Sequence, residues 1–155
     1  MENPLLEPRL LPHFTEIRPE HVEPAIRALL EENRARIAEL TRLPEPTFAD
    51  LVEPLEDMHH RLSRVWSPVS HLNAVVNSPE LRAAYNACLP LLSAYQTDLA
   101  QSEPLYRAYQ RIAEREGAHL EPTQRAVLEH ALRDFTLAGV GLEAERKERF
   151  KNVML

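Results

Sequence analysis

Apolar residues recur at three- and four-residue spacing along nearly the whole chain, and prolines mark where each run begins or shifts. The first run is Val22, Ile26, Leu29, Leu30, Ile37 and Leu40, which share one face of a helix. Pro19 and Pro24 fall at or near its first turn, where a missing N–H costs little. "LPEPT" (Leu43–Thr47) reads as a turn. Thr47 then opens "TFAD", a helix start in which the hydroxyl accepts from first-turn N–H groups, and Asp50 sits near the positive end of the dipole. The stripe that follows is Phe48, Leu51, Leu55, Met58, Leu62, Val65, Trp66, Val69, Leu72 and Val76. It keeps phase past Pro54 and Pro68, which predicts one long kinked helix or two nearly collinear ones.

Ser78-Pro79-Glu80 is a cap, a proline at the first helical position and an acid in the first turn. Leu81, Tyr85, Cys88, Leu92, Tyr95 and Leu99 form the next stripe, with a kink expected at Pro90. A shorter helix is predicted from about Pro104 to Glu116, stopped by Gly117. Another starts near Pro122 and carries Val127, Leu128, Ala131, Leu132 and Phe135 before Gly139. "LEAERKERFK" (Leu142–Lys151) is helical by propensity, with Glu143 and Lys147 at i, i+4. No segment alternates as a strand does. The pattern therefore predicts an all-α fold: residues 19–155 as a bundle of about six proline-kinked antiparallel helices, behind an extended arm over residues 1–18 with Pro4, Pro8 and Pro12.

Composition narrows the function classes. Thirteen prolines against three glycines leave no material for a glycine-rich phosphate loop. A net charge of −6 argues against nucleic acid as a partner, because phosphate binding relies on clustered Lys and Arg. Every apolar stretch is cut by charge or proline, so no membrane span is expected. "MENPLLEPRLLPHF" lacks a cationic head followed by an apolar core, and a single cysteine precludes an internal disulfide. Both fit a cytoplasmic protein.

Seven histidines raise the question of zinc. A helical zinc site wants two histidines four residues apart with a glutamate beside the first. No such pair occurs; His59 and His60 are adjacent and point about 100° apart on a helix. His60 and His71 share a face but stand roughly 16 Å apart by helical rise. They read as solvated or hydrogen-bonded histidines. Cys88 lies on the apolar stripe of its helix, so it reads as a core residue rather than a nucleophile. No catalytic residue and no metal ligand is assigned.

The polar residues of "WSPVSHLNAVVNSPELRAAY" (Trp66–Tyr85) divide between two faces. Helical projection places Asn73 inside the stripe of Trp66, Val69 and Val76, with Asn77 at its edge. Both are expected to be structural, one or the other tying a neighbouring turn, since a buried Asn needs hydrogen-bond partners and Pro68 frees the carbonyl of Arg64. His71 falls on the opposite side with Ser67, Arg64 and His60, a candidate face for a partner or a short peptide.

With these elements placed, five collinear blocks resemble the N-terminal region of the thimet oligopeptidase family of zinc metallopeptidases. They are "NPLL" (Asn3–Leu6), "PEHVEPAI" (Pro19–Ile26), "SPVSHLNAVVNSPELRAAY" (Ser67–Tyr85), "LPLLSAY" (Leu89–Tyr95) and "ALRDFTLAGVGL" (Ala131–Leu142). The likeness runs from Asn3 to about Phe150. In that family the chemistry belongs to a later domain, where an H-E-x-x-H helix and a downstream glutamate hold zinc and activate water. None of those residues has a counterpart here, so the resemblance implies a chain that is not an enzyme by itself and has no cofactor of its own, zinc belonging to the parent. It implies a non-catalytic helical domain that forms one wall of a peptide channel and limits substrate size. The closing "KNVML" departs from the family pattern, as in an expressed fragment or a gene that stops early. The implied partner is the missing catalytic domain or a second copy of the chain, as a homo-oligomer, with short peptides as possible ligands. Leu142, Phe150 and Val153 are the candidate association face. A free-standing helical interaction module, derived from such an enzyme, is the alternative reading.

Overall fold

Proline and a buried apolar face together define the first helix, α1 (Pro19–Leu40), in the computed structural model, which describes residues 3–154. Met1, Glu2 and Leu155, the ends of the expected arm and helical domain, lie outside the described residues. After α1 come a π-helical segment (Phe48–Val52), α2 (Glu53–Val75), α3 (Pro79–Ala100), α4 (Glu103–Glu116), α5 (Pro122–Leu137) and α6 (Ala144–Met154). No strand occurs among the described residues, so the fold is all-α. Residues 3–18 form no helix and are folded by turns, Leu6 N–H to Asn3 O (2.9 Å) and Glu16 N–H to His13 O (2.9 Å).

The chain divides into two compact units. The first comprises residues 3–35 and 56–92. Its core is built from Val22, Ile26 and Leu29 of α1, Leu62, Val65 and Val69 of α2, and Leu81, Cys88 and Leu92 of α3, all buried. Leu5 of the arm is buried with them. Each fully buried aliphatic side chain contributes about 1.5–3 kcal/mol. The exposed Arg61–Glu32 pair (2.6 Å) between α2 and α1 belongs to a class worth only about 0.2–1 kcal/mol, so apolar burial holds this unit. Trp66 stacks on Tyr85 with ring centroids 4.8 Å apart and planes 14° from parallel, joining α2 to α3.

The second unit comprises residues 36–55 and 93–154. Here α4 packs against α5 and touches the π-helical segment. α4 supplies Leu105, Ala108, Tyr109 and Ile112 to the core, and the π-helical segment supplies Phe48, Leu51 and Val52. Phe135 of α5 meets Tyr109 edge-on at 5.4 Å and Tyr106 at 5.7 Å. The Glu116 carboxylate accepts from Phe48 N–H (3.0 Å), satisfying a donor that the start of a helix leaves open. Lys151 Nζ on α6 pairs with Asp98 on α3 at 2.6 Å.

Several local features have direct causes. Thr47 Oγ1 accepts from Asp50 N–H (3.1 Å) while Asp50 accepts from Thr47 N–H (3.2 Å), a reciprocal capping box. Thr47→Ala is expected to cost about 1 kcal/mol in a denaturant melt; a change within error would show that the box contributes nothing. The Thr47 hydroxyl, and then its N–H, hold the Asp50 carboxyl below the usual range. The contribution of that depressed pKa is present above the unfolded value and is lost as pH falls through the folded one. The start after Thr47 is π rather than α. Pro54 has no N–H to give to Asp50 and its ring would crowd that carbonyl in a regular turn; a wider turn ahead of it relieves the conflict.

The C-terminal end of α5 is a full Schellman motif. Gly139 adopts φ +80°, its N–H reaches Thr136 O (3.1 Å), and Val140 N–H reaches Phe135 O (3.1 Å). Val140 and Phe135, the two positions whose apolar side chains commonly meet in this motif, are both buried.

The apolar stripes differ from expectation at their ends. Val76 lies beyond α2 and is 66 % exposed, and Val75 is 61 % exposed. The Asn77-Ser78-Pro79 turn ends the helix there, so the buried phase runs out. Val127 is likewise exposed on α5.

Candidate partner-binding face

The four residues placed on the outer face of α2, His60, Arg64, Ser67 and His71, are all exposed. Two of them are engaged by the chain's own arm. The Arg64 guanidinium donates to the backbone carbonyls of Arg9 and of Leu10, the latter at 3.2 Å. The Phe14 ring lies 5.7 Å from the His71 ring, tilted by 55°. His60 and Ser67 stand on the same face, outside these contacts. The signal for this arrangement was slight: no carboxylate lies three or four residues from Arg64 on its helix, which leaves its guanidinium without a local partner.

The arm segment over this face carries its own charge cluster. Arg9 Nε donates to Glu7 (2.7 Å), Arg9 Nη1 reaches Glu16 (3.0 Å), and His13 Nδ1 lies 2.9 Å from Glu16. His13 and then Arg9 pull the Glu16 carboxyl below its ordinary pKa, and the hydrogen bonds that Arg9 donates to Glu16 and then Glu7 raise its own. Toward the chain start the arm is anchored differently: Leu5 is buried and Asn3 Nδ2 donates to His21 O (2.8 Å).

Asn73 and Asn77 part company. Asn77 is exposed beyond α2, and its Oδ1 accepts from Arg82 Nε (3.3 Å), tying the turn to α3. Asn73 is half-buried, and its shielded Oδ1 has no hydrogen-bond partner, where a tie to a neighbouring turn was expected. Sequence reasoning passed over Asn33 on α1, which is buried with Nδ2 unpartnered. The signal was present: Asn33 stands four residues after Leu29 and four before Ile37, on the buried face of α1.

Leu142, Phe150 and Val153 are unequally placed. Leu142 is half-buried against Gly139, where an added Cβ would meet its Cδ1 at 2.5 Å. Phe150 is half-buried and Val153 is 79 % exposed. Cys88 is buried, and burial pushes its thiol up to about 11, with Glu23 adding to the shift and Arg27 opposing it. Such a thiol is a poor nucleophile at neutral pH. Among the described residues no three His, Cys, Asp or Glu side chains converge as a metal-holding group. No described helix is long and apolar enough to cross a membrane.

These features describe an all-helical chain with an arm folded onto its second helix and no metal-holding group among the described residues. The family model for the N-terminal domain of neurolysin and thimet oligopeptidase matches residues 26–147, and the chain belongs to that family. Oligopeptidase A of Haemophilus influenzae is 43% identical over 155 residues, covering 99% of this chain and 23% of the relative. Oligopeptidase A of Escherichia coli is 45% identical over 157 residues, again 99% of this chain and 23% of the relative. A probable cytosolic oligopeptidase A of Arabidopsis thaliana is 38% identical over 152 residues, 97% of this chain and 22% of its own length. The chain thus spans about a quarter of the length of the curated relatives it matches.

Proposed function

We propose that this chain serves as the non-catalytic N-terminal helical domain of an oligopeptidase-A-like zinc metallopeptidase in the cytoplasm, forming one wall of a peptide channel and limiting substrate size. The observation that carries this reading is the match itself: almost the whole chain aligns with about a quarter of each bacterial oligopeptidase A, and the matched family domain is the N-terminal one. Zinc and the water-activating base would belong to the remainder of the parent, which would also be the domain's partner. A helical wall suits that role, since α-helices satisfy their own backbone groups and hold a fixed surface without a substrate.

A chimera tests this. Replacing the matching quarter of the Escherichia coli enzyme with this chain is expected to give chelator-sensitive hydrolysis of short peptides and no cleavage of folded protein. The chain alone, supplied with zinc, is expected to hydrolyse neither. A folded chimera that is inactive or that digests folded protein, or a chain that cleaves peptides by itself, would overturn the proposal.

A further inference from the structure

The outer face of α2 is occupied in a way that resembles a ligand more than a packed element. Over residues 10–16 every side chain is exposed, and Leu10 and Leu11 are 89 % and 70 % exposed. The segment therefore contributes no core. It is held to α2 by the guanidinium of Arg64 on two successive backbone carbonyls and by the ring of His71 against Phe14. The charge cluster of Glu7, Arg9, His13 and Glu16 closes within the arm itself and shapes the loop without reaching α2.

From these contacts we propose that Arg64 and His71 form a two-point site for a short bent peptide segment, which the chain's own residues 9–14 fill in cis. Arg64 reads backbone rather than side chain: its Nη2, which carries two N–H donors, reaches both neighbouring carbonyls, a contact open to any sequence. His71 supplies the selectivity, taking an aromatic side chain four residues beyond the second carbonyl, the spacing of Leu10 and Phe14. The buried Leu5 and the Asn3–His21 hydrogen bond keep the arm tethered when this segment lifts. The tether gives the arm a high effective concentration, so an incoming peptide must compete with it. The site lies within one compact unit and does not rest on the peptidase reading.

Two measurements on the full chain test the proposal, with circular dichroism melts confirming that each variant is folded. Trypsin cleavage after Arg9 reports opening of the clasp; Arg64→Ala is expected to speed it about tenfold, because the cleaved state is reached by local release. Equal rates in the parent chain and Arg64→Ala would mean that Arg64 does not hold the arm, and would overturn the inference. The second measurement titrates a synthetic peptide of residues 7–16, EPRLLPHFTE, and follows the His71 ring protons by NMR. Phe14→Ala, which loosens the arm and leaves the site intact, is expected to bind the peptide about tenfold more tightly than the parent chain does. Adding Arg64→Ala to Phe14→Ala is expected to abolish the gain. Peptide binding that is unchanged by removal of Arg64, or absent from Phe14→Ala, would overturn it equally.

Discussion

Leu29→Ala is expected to lower the stability of the unit built on α1 by about 2–5 kcal/mol, the largest effect of any single change considered. Leu29 is 1 % exposed and lies on the same helical face as Val22 and Ile26, both fully buried. Truncation removes the transfer free energy of the lost methyl groups and leaves a cavity that three packed helices can only partly close. Trp66 is the only tryptophan and lies in the same unit, stacked on Tyr85, so a denaturant titration followed by its fluorescence reads the loss directly. Glu31→Ala, two residues along on the exposed side, is expected to stay within about 0.5 kcal/mol. Similar midpoints for the two variants would show that the buried face of α1 does not carry this unit.

At Gly139 the expected loss comes from backbone handedness. An alanine there must adopt φ +80°, which costs about 1–2 kcal/mol for a residue with a Cβ. The new Cβ would also fall 2.5 Å from Leu142 Cδ1, so that side chain has to rotate away. Gly141→Ala supplies the internal comparison. Its Cβ would meet nothing within 4 Å and its φ is not positive, so it should be neutral or stabilise by about 0.4–1 kcal/mol through the unfolded chain. Thermal melts of the pair, two residues apart, separate handedness from mere loss of glycine. Equal melting temperatures would rule out the Schellman turn as a constraint.

What could be read from the sequence follows from the range of the forces involved. Helices are local, and their apolar period survives in the order of residues: all of Val22, Ile26, Leu29, Leu30, Ile37 and Leu40 are buried as the spacing implied. Caps are equally local, and Thr47 and Ser78 both accept the hydrogen bonds expected of them. The π-helical start at Phe48 was not legible, because it combines a cap, a proline and a carboxylate 68 residues away on Glu116. The arm is the clearest case. Its prolines suggested extension, whereas Arg64 meets the backbone of Arg9 across 55 positions and the chain between His13 and Glu16 turns back on itself. No spacing rule encodes such contacts. On α2 the exposure of His60, Arg64, Ser67 and His71 follows from helical phase, whereas the contacts of Arg64 and His71 with the arm do not.

Cys88, buried and with its thiol pushed up to about 11, is expected to react only slowly with ordinary alkylating reagents. A cysteine introduced on the surface would therefore accept a dye or a spin label well before Cys88 does. The native thiol is useful for the opposite reason. It becomes available only when the helices around it part, so its slow modification in undenatured protein counts those partings one at a time. A buried thiol thereby serves as an internal clock of how often the fold lets go.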